Sequence, residues 1–288
     1  MREAPRPDYD YDVRRLIRVY ERALRDIQAE LYSLLLTDFE RAQLLAVEAN
    51  IRAILQDLRK YGNDWVRQTM TKAAREGVAA TIYALYLADT FEEALKIARF
   101  NSVNRAFVNA IIADTQADLL AVTQNVERRT RSAVRQVVAE VMREKAAAGV
   151  NSIQSIQQTI TRNLRAKLGS AADSAIVDAA GRRWKLRTYT EMVARTKTME
   201  AHVESSVNEA IDRGVQFVVV SRHMGTCPKC APWEGRVLAL SAANDQGFPT
   251  IEQARANGLF HPMCRHQITP VRRLDRLPAD IRRLNNID

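Results

Sequence analysis

Between Pro7 and Pro228 the chain has no proline at all, and six of its eight prolines crowd into the segment from 228 to 278. Proline removes a backbone donor and breaks a helix interior, so a span free of it can run in long helices. Glycine repeats the division: five of ten lie between Gly214 and Gly258. The distribution therefore predicts a helical body over residues 8–213 and a turn-rich segment after Gly214.

The apolar spacing of the first part supports helices. Val13, Leu16, Ile17, Tyr20, Leu24, Ile27, Leu31, Leu34 and Leu35 step by three and four, one face of an amphipathic helix. Asp8, Asp10 and Asp12 sit where carboxylates favour a helix N-terminus. A second helix carries Leu44, Leu45, Ile51, Ile54, Leu55 and Leu58 inward and is expected to stop near Gly62. Asp64 then caps a third, with Trp65, Met70, Val78, Ile82 and Tyr83. Thr90 and Glu93 form a capping box for a fourth. A long helix is predicted over Ser102 to Ala148, inward at Leu119, Val122, Val126, Val134, Val137, Val138 and Val141. Gly149 and Asn151 end it, and Ile153, Ile156, Ile160, Leu164 and Leu168 make another. Thr188 and Glu191 are a second capping-box pair, opening a helix through Met192, Val193, Met199, Val203 and Ile211 to Gly214. Stripes of this kind are core or partner-facing surface far more often than cofactor contacts.

After Gly214 the period changes. Val215 and Phe217 to Val220 form a β-branched and aromatic run that reads as a strand. Arg236 to Leu240 is a second strand, Thr250 to Ala256 a short helix, and Gln267 to Val271 a last strand. The fold class expected is mainly α, an extended multi-helix body with a small α+β C-terminal module.

Charge and cysteine usage bound the function. The formal net charge is +9 over 288 residues, which suits a surface that meets polyanions. The excess is spread along the chain, with denser spots at Arg182–Arg187 and Arg272–Arg283, and no long basic tail marks a dedicated DNA reader. No apolar run approaches the roughly 18–20 residues of a membrane span. The stretch from Met1 to Asp12 is rich in Pro, Arg and Asp and lacks the apolar region of a secretory signal. The expectation is a protein made and kept in a cytoplasm, or in something assembled there. The three cysteines all lie between 227 and 264, too few and too clustered for a disulfide framework.

Those cysteines belong to one motif. It reads His223-Met-Gly-Thr-Cys227-Pro-Lys-Cys230-Ala-Pro-Trp233-Glu-Gly235, then Gly258-Leu-Phe-His261-Pro-Met-Cys264-Arg-His266. A Cys-x2-Cys turn presents two thiolates to one ion, and His261-x2-Cys264 adds an imidazole and a thiolate at matching spacing. Together Cys227, Cys230, His261 and Cys264 make a tetrahedral Cys3His set of the structural kind, with His266 as alternative to His261. Thiolate and imidazole ligands favour Zn2+ over magnesium or calcium. The plainer reading is of small buried thiols and packed histidines.

Catalytic readings are weaker. His223, His261 or His266 acting in a metal-dependent nuclease would need an open metal position or metal-binding acids nearby, and Glu234 is the only acid of the first half-motif. His202, on a helix, is most simply a satisfied residue. A redox Cys-x2-Cys should open a helix after a strand, which Pro228 and Pro232 disfavour. No glycine-rich phosphate loop is present. Trp233 reads as a lid over the Cys turn, and a general nucleic-acid-binding module, with the two arginine spots as footprint, is the other alternative.

At Cys227, Cys230, Ala231, Pro232, Trp233, Gly235, His261, Pro262, Cys264, Arg265 and His266 the chain resembles the phage minor capsid, or head morphogenesis, proteins related to the Mu F protein. It is most similar to the group called phage minor capsid protein 2. The helix from Ala194 through Lys197 and Asn208 to Gly214, and the opening helix from Asp12 to Leu31, fit that family as well. The resemblance implies a division into an N-terminal tail (1–11), a helical body (12–188), a Mu F-like module with the Cys/His site (189–270) and a basic tail (271–288). It implies a structural virion protein rather than an enzyme, a low-copy component of the capsid interior at the portal vertex. Such a protein is expected to reach the head from the host cytoplasm. It is expected to touch the portal protein, other capsid proteins and packaged DNA, and to act in head assembly, DNA packaging or ejection.

Overall fold

The computed structural model describes residues 1–32, 41–147 and 183–287, with 159, 162–163 and 176–177 between them. In chain order the helices are α1 (Asp10–Tyr32), α2 (Arg41–Ala84), α3 (Phe91–Ile97) and α4 (Ser102–Ala147). A two-stranded pair, β1 (Ile176–Val177) and β2 (Arg183–Trp184), precedes α5 (Leu186–Asp212). Then come β3 (Phe217–Val220), β4 (Val237–Ala239), α6 (Ile251–Ala256), β5 (Ile268–Val271) and α7 (Ala279–Leu284). The described chain is thus mainly helical with a small sheet near its C-terminal end, as the proline distribution predicts. The helix expected through Ile153 to Leu168, with Gly149 and Asn151 before it, lies outside the described residues, as do Leu34, Leu35 and Arg182.

Two compact units emerge. One combines Met1–Asp10, Val66–Thr115 and Met192–Asp288; the other combines Tyr11–Trp65 and Gln116–Glu191. Among the described residues the second is helical apart from the short β1–β2 pair. Its α1 buries Val13, Leu16, Ile17, Tyr20 and Ile27, the periodic face read from the sequence. Tyr20 and Ile27 of α1, Leu55 and Leu58 of α2, Val122 and Val126 of α4, and Leu186 line one interior space. The Trp65 indole N–H donates to the Asp12 carbonyl at 2.8 Å. Arg59 donates to Thr123 Oγ1 at 3.0 Å and to the Glu127 carboxylate at 2.8 Å.

Gly62 does not end a helix, and Asp64 caps none, because α2 continues unbroken to Ala84. A Cβ at Gly62 would lie 3.4 Å from the Tyr20 hydroxyl oxygen and 3.8 Å from a Leu119 methyl. Side chains packed around the glycine offset its helix-propensity cost of about 1 kcal/mol.

In the first unit the sequence reading of α3 holds. Thr90 Oγ1 accepts from the Glu93 N–H at 3.1 Å, and the Glu93 carboxylate accepts from the Thr90 N–H at 3.3 Å. At α5 it does not: the helix starts at Leu186, so Thr188 and Glu191 lie inside it. Leu186, 2% exposed, anchors that start in the core, and packing overrides the local cap signal. Ile211, expected inward, is 51% exposed. The buried face of α5 runs Val203, Val207 and Ala210, and the residue after Ala210 points about 100° away.

Small residues let α5 approach α2 closely. A Cβ at Gly77 would fall 2.1 Å from the His202 carbonyl oxygen. Thr81 Oγ1 donates to the Ser206 carbonyl at 3.0 Å on the same seam. His202 is buried there, its Nδ1 2.9 Å from the Tyr9 hydroxyl, and burial holds its pKa down at about 4. His202 is the satisfied core histidine its helical setting suggests.

The sheet has order β4-β3-β5, antiparallel throughout. Val218, Val220, Leu238 and Ile268 pack with Val203, Val207 and Ile251 of the flanking helices. Phe217, Val219, Val237 and Val271 pack on the other face with Leu277 and Ile281. Burial on both faces explains why β3 is uniformly apolar rather than alternating. The second cover comes from the segment read as a basic tail. There, Asn285 Nδ2 donates to the Gly235 carbonyl at 2.9 Å while its Oδ1 accepts from the Val237 N–H at 2.9 Å. The N-terminal residues are held to this unit too: the Arg6 guanidinium donates to the Arg222 carbonyl at 2.8 Å.

Candidate metal centre

The two halves of the Cys/His motif fold as two tight turns, each with proline at its second position and closed by a cysteine N–H. In Cys227-Pro228-Lys229-Cys230 the Cys230 N–H donates to the Cys227 carbonyl at 3.0 Å. In His261-Pro262-Met263-Cys264 the Cys264 N–H donates to the His261 carbonyl at 2.9 Å. Each proline occupies the second position of its turn, where its fixed φ is favourable. Met263 takes a positive φ of 68°, which a non-glycine residue adopts at a cost of about 1 kcal/mol or more. The Thr196 hydroxyl of α5 accepts the Met263 N–H at 3.1 Å and anchors the second turn. The sheet brings the turns together, since the chain enters the first from the end of β3 and leaves the second into β5.

The five ligand candidates Cys227, Cys230, His261, Cys264 and His266 meet in this place. Cys227 Sγ is 3.0 Å from His261 Nε2, and Cys230 Sγ is 3.7 Å from Cys264 Sγ. Cys264 Sγ is 3.3 Å from His266 Nδ1. The thiols are free cysteines, and a disulfide would need about 2.05 Å. Around a tetrahedral ion with metal–sulfur bonds of about 2.3 Å, two thiolates stand ~3.8 Å apart, close to the Cys230–Cys264 spacing. The donors form three overlapping groups: Cys227, Cys230 and His261; Cys230, Cys264 and His266; and His223, Glu234 and His266. Within each, the ligand atoms lie within 4.8 Å of one another.

Electrostatics separates the thiols. Cys227, at the surface, is held down at about 7, chiefly by the backbone N–H of Cys230. Burial pushes the Cys230 thiol up, and the neighbouring Cys264 adds to that. A thiolate cannot persist at Cys230 without a cation beside it.

Glu234 has more to do here than the sequence suggests. It accepts from the His223 N–H at 2.8 Å, from the Thr226 hydroxyl, and from His266 Nε2 at 3.2 Å. Burial opposes ionisation of Glu234, but these hydrogen bonds outweigh it and hold the carboxyl below the usual range. Burial likewise pushes the His266 pKa down, against the pull of Glu234. The His223 ring lies against that of His266, centroids 4.2 Å apart and tilted by 41°. The signal for Glu234 was present in its being the lone acid of its half-motif, but its partners come from both halves. Trp233 packs on the apolar cluster that contains Cys230 and Cys264, beside the first turn.

Comparison with known proteins decides the family. The sequence profile of the phage minor capsid protein 2 family matches residues 38–287. The chain belongs to that family. The chain is also 22% identical over 141 residues to a structural protein of Lactococcus phage LL-H. That match covers 46% of the chain and 38% of the relative's own length. No solved structure matches this minor capsid protein 2 member significantly. Among the described residues no helix is long and apolar enough to cross a membrane.

Proposed function

We propose that this chain is a low-copy structural protein of the phage capsid interior, seated at the portal vertex and acting in head assembly, with DNA packaging or ejection as later stages. The observation that carries the reading is the family match over 38–287. In this reading the protein passes from the host cytoplasm into the virion, binds the portal protein and other capsid proteins, and is not an enzyme. The net charge of +9 suits contact with packaged DNA, as do the exposed Arg272, Arg276 and Arg283. The helical body over 12–188 carries a C-terminal module over 189–270, with flanking segments 1–11 and 271–288.

Within the module, Cys227, Cys230 and Cys264 with one histidine, His261 or His266, hold a structural Zn2+. The donor set supports it: three sulfurs and two imidazoles on two facing turns. The zinc would tie the turns together and contribute directly to folding.

The assembly reading is tested by removing the gene and analysing the heads that form. We expect wild-type heads to contain the protein at far fewer copies than the major capsid protein. Its loss should give aberrant or non-infectious particles, and the purified chain should bind its cognate portal oligomer. Heads of normal composition and infectivity without it would overturn the reading.

A further inference from the structure

Five donors surround the metal centre, and a tetrahedral ion takes four. We infer that His266, oriented by Glu234, is the nitrogen ligand, and that His261 stands outside the shell beside Cys227. The inference rests on the zinc reading above and names the ligand within it.

The hydrogen bonds of each ring show how it would bind. His266 Nε2 faces the Glu234 carboxylate at 3.2 Å. An ionised carboxylate only accepts, so Nε2 carries the hydrogen and Nδ1 presents its lone pair. That Nδ1 is the atom 3.3 Å from Cys264 Sγ. A carboxylate or a backbone carbonyl behind the ring is a usual outer partner of a ligating histidine; the charged carboxylate is the stronger acceptor, fixing the tautomer and raising the basicity of the free nitrogen. His261 has a weaker partner. Its Nδ1 meets the Pro262 carbonyl at 2.7 Å, leaving Nε2 toward Cys227.

Burial separates the two. Cys230, Cys264 and His266 are all buried, whereas His261 and Cys227 are only partly so. A closed structural site excludes water, and the buried group supplies that setting. Glu234 is thereby a positioning residue. It ties the first turn, through the Thr226 hydroxyl and the His223 N–H, to the ring that completes the shell from the second. His223 then lies as a cover on His266, and its own Nδ1 is turned to the Met224 carbonyl at 3.1 Å.

The two histidines would bind through different ring nitrogens, so the wild-type protein itself can answer. The full chain, labelled with 15N-histidine and loaded with zinc, is read by long-range 1H–15N correlation. Only four histidines contribute, and His261→Ala assigns that ring. We expect one zinc per chain and one metal-bound ring, ligated at Nδ1 with its hydrogen on Nε2, whose signals persist in His261→Ala. Glu234→Gln should weaken zinc binding about 10- to 100-fold, measured by chelator competition, with helical circular dichroism unchanged. A metal-bound ring ligated at Nε2 and lost in His261→Ala would overturn the inference while leaving the zinc reading intact. Two zinc ions per chain, with His223 also ligating, would overturn it as well. Absence of any bound zinc in the folded wild-type chain would instead remove the zinc reading itself.

Discussion

The helical unit and the C-terminal module solve the same problem by different means. In the helical unit, apolar stripes at three- and four-residue spacing face one another, and Leu16, Tyr20, Leu55 and Val122 vanish into the shared interior. The module has strands of three and four residues, covered on both faces, with a cluster of thiols and imidazoles between its turns. The first is held mainly by buried apolar area, with a few side-chain hydrogen bonds such as those of Trp65 and Arg59. The second buries apolar residues on both faces of its sheet and also concentrates polar chemistry where the turns meet. A core of the first kind weakens by degrees as side chains are trimmed; one of the second kind is expected to fail at a single point.

Metal removal should break the comparison most sharply. Chelation, or Cys230→Ser, should unfold the module and leave the helical unit standing, since structural zinc supplies on the order of 10 kcal/mol of folding free energy. Limited proteolysis would then cut after Gly214, while most helical circular dichroism remains. A protein that melts identically with and without chelator would sink the expectation. In the helical unit, Leu55→Ala should cost about 2–5 kcal/mol in denaturant unfolding, and zinc content should not change.

Acid should separate the two parts of the chain next. His202 is held neutral by burial, with its pKa at about 4 against an ordinary 6.5. The unfolded chain therefore takes up that proton first as pH falls. His202 favours folding fully above pH 6.5, and the advantage is lost progressively between 6.5 and about 4, by ~3 kcal/mol in all. Thermal melts of wild type and His202→Gln over that range should converge toward low pH. Parallel curves would show that another group carries the acid sensitivity.

The smallest effects come from two glycines of one helix. Gly77→Ala drives a Cβ against the His202 backbone and should cost about 1–3 kcal/mol. Gly62→Ala meets only ordinary contacts and should stabilise by up to about 1 kcal/mol through helix propensity. Equal effects at the two positions would mean that the approach of α5 to α2 is looser than the structure shows.

Much of this was legible in the chain. The capping box at Thr90, the long helix from Ser102 and all three strands after Gly214 follow from local chemistry and period. The Cys/His residues announced themselves because nothing else in the chain resembles them. What escaped were features that depend on distant neighbours. Thr188 looks like a cap but sits inside a helix that Leu186 begins, and Gly62 looks like a stop but lies against Tyr20.

The sequence alone determined most of the described helices, where the texture changes, and that three thiols and two imidazoles stand in or beside two Pro-containing turns. Those are consequences of backbone sterics and short-range spacing, which act within a few residues. Only the tertiary structure decided that α7 covers the sheet, that Asn285 binds the backbone on either side of Arg236, and that Glu234 joins the two turns through His266. Most of these contacts join groups distant in the chain, as Ile281 with Phe217 or Asn285 with Gly235, and no periodicity encodes a contact whose partners are brought together by the sheet.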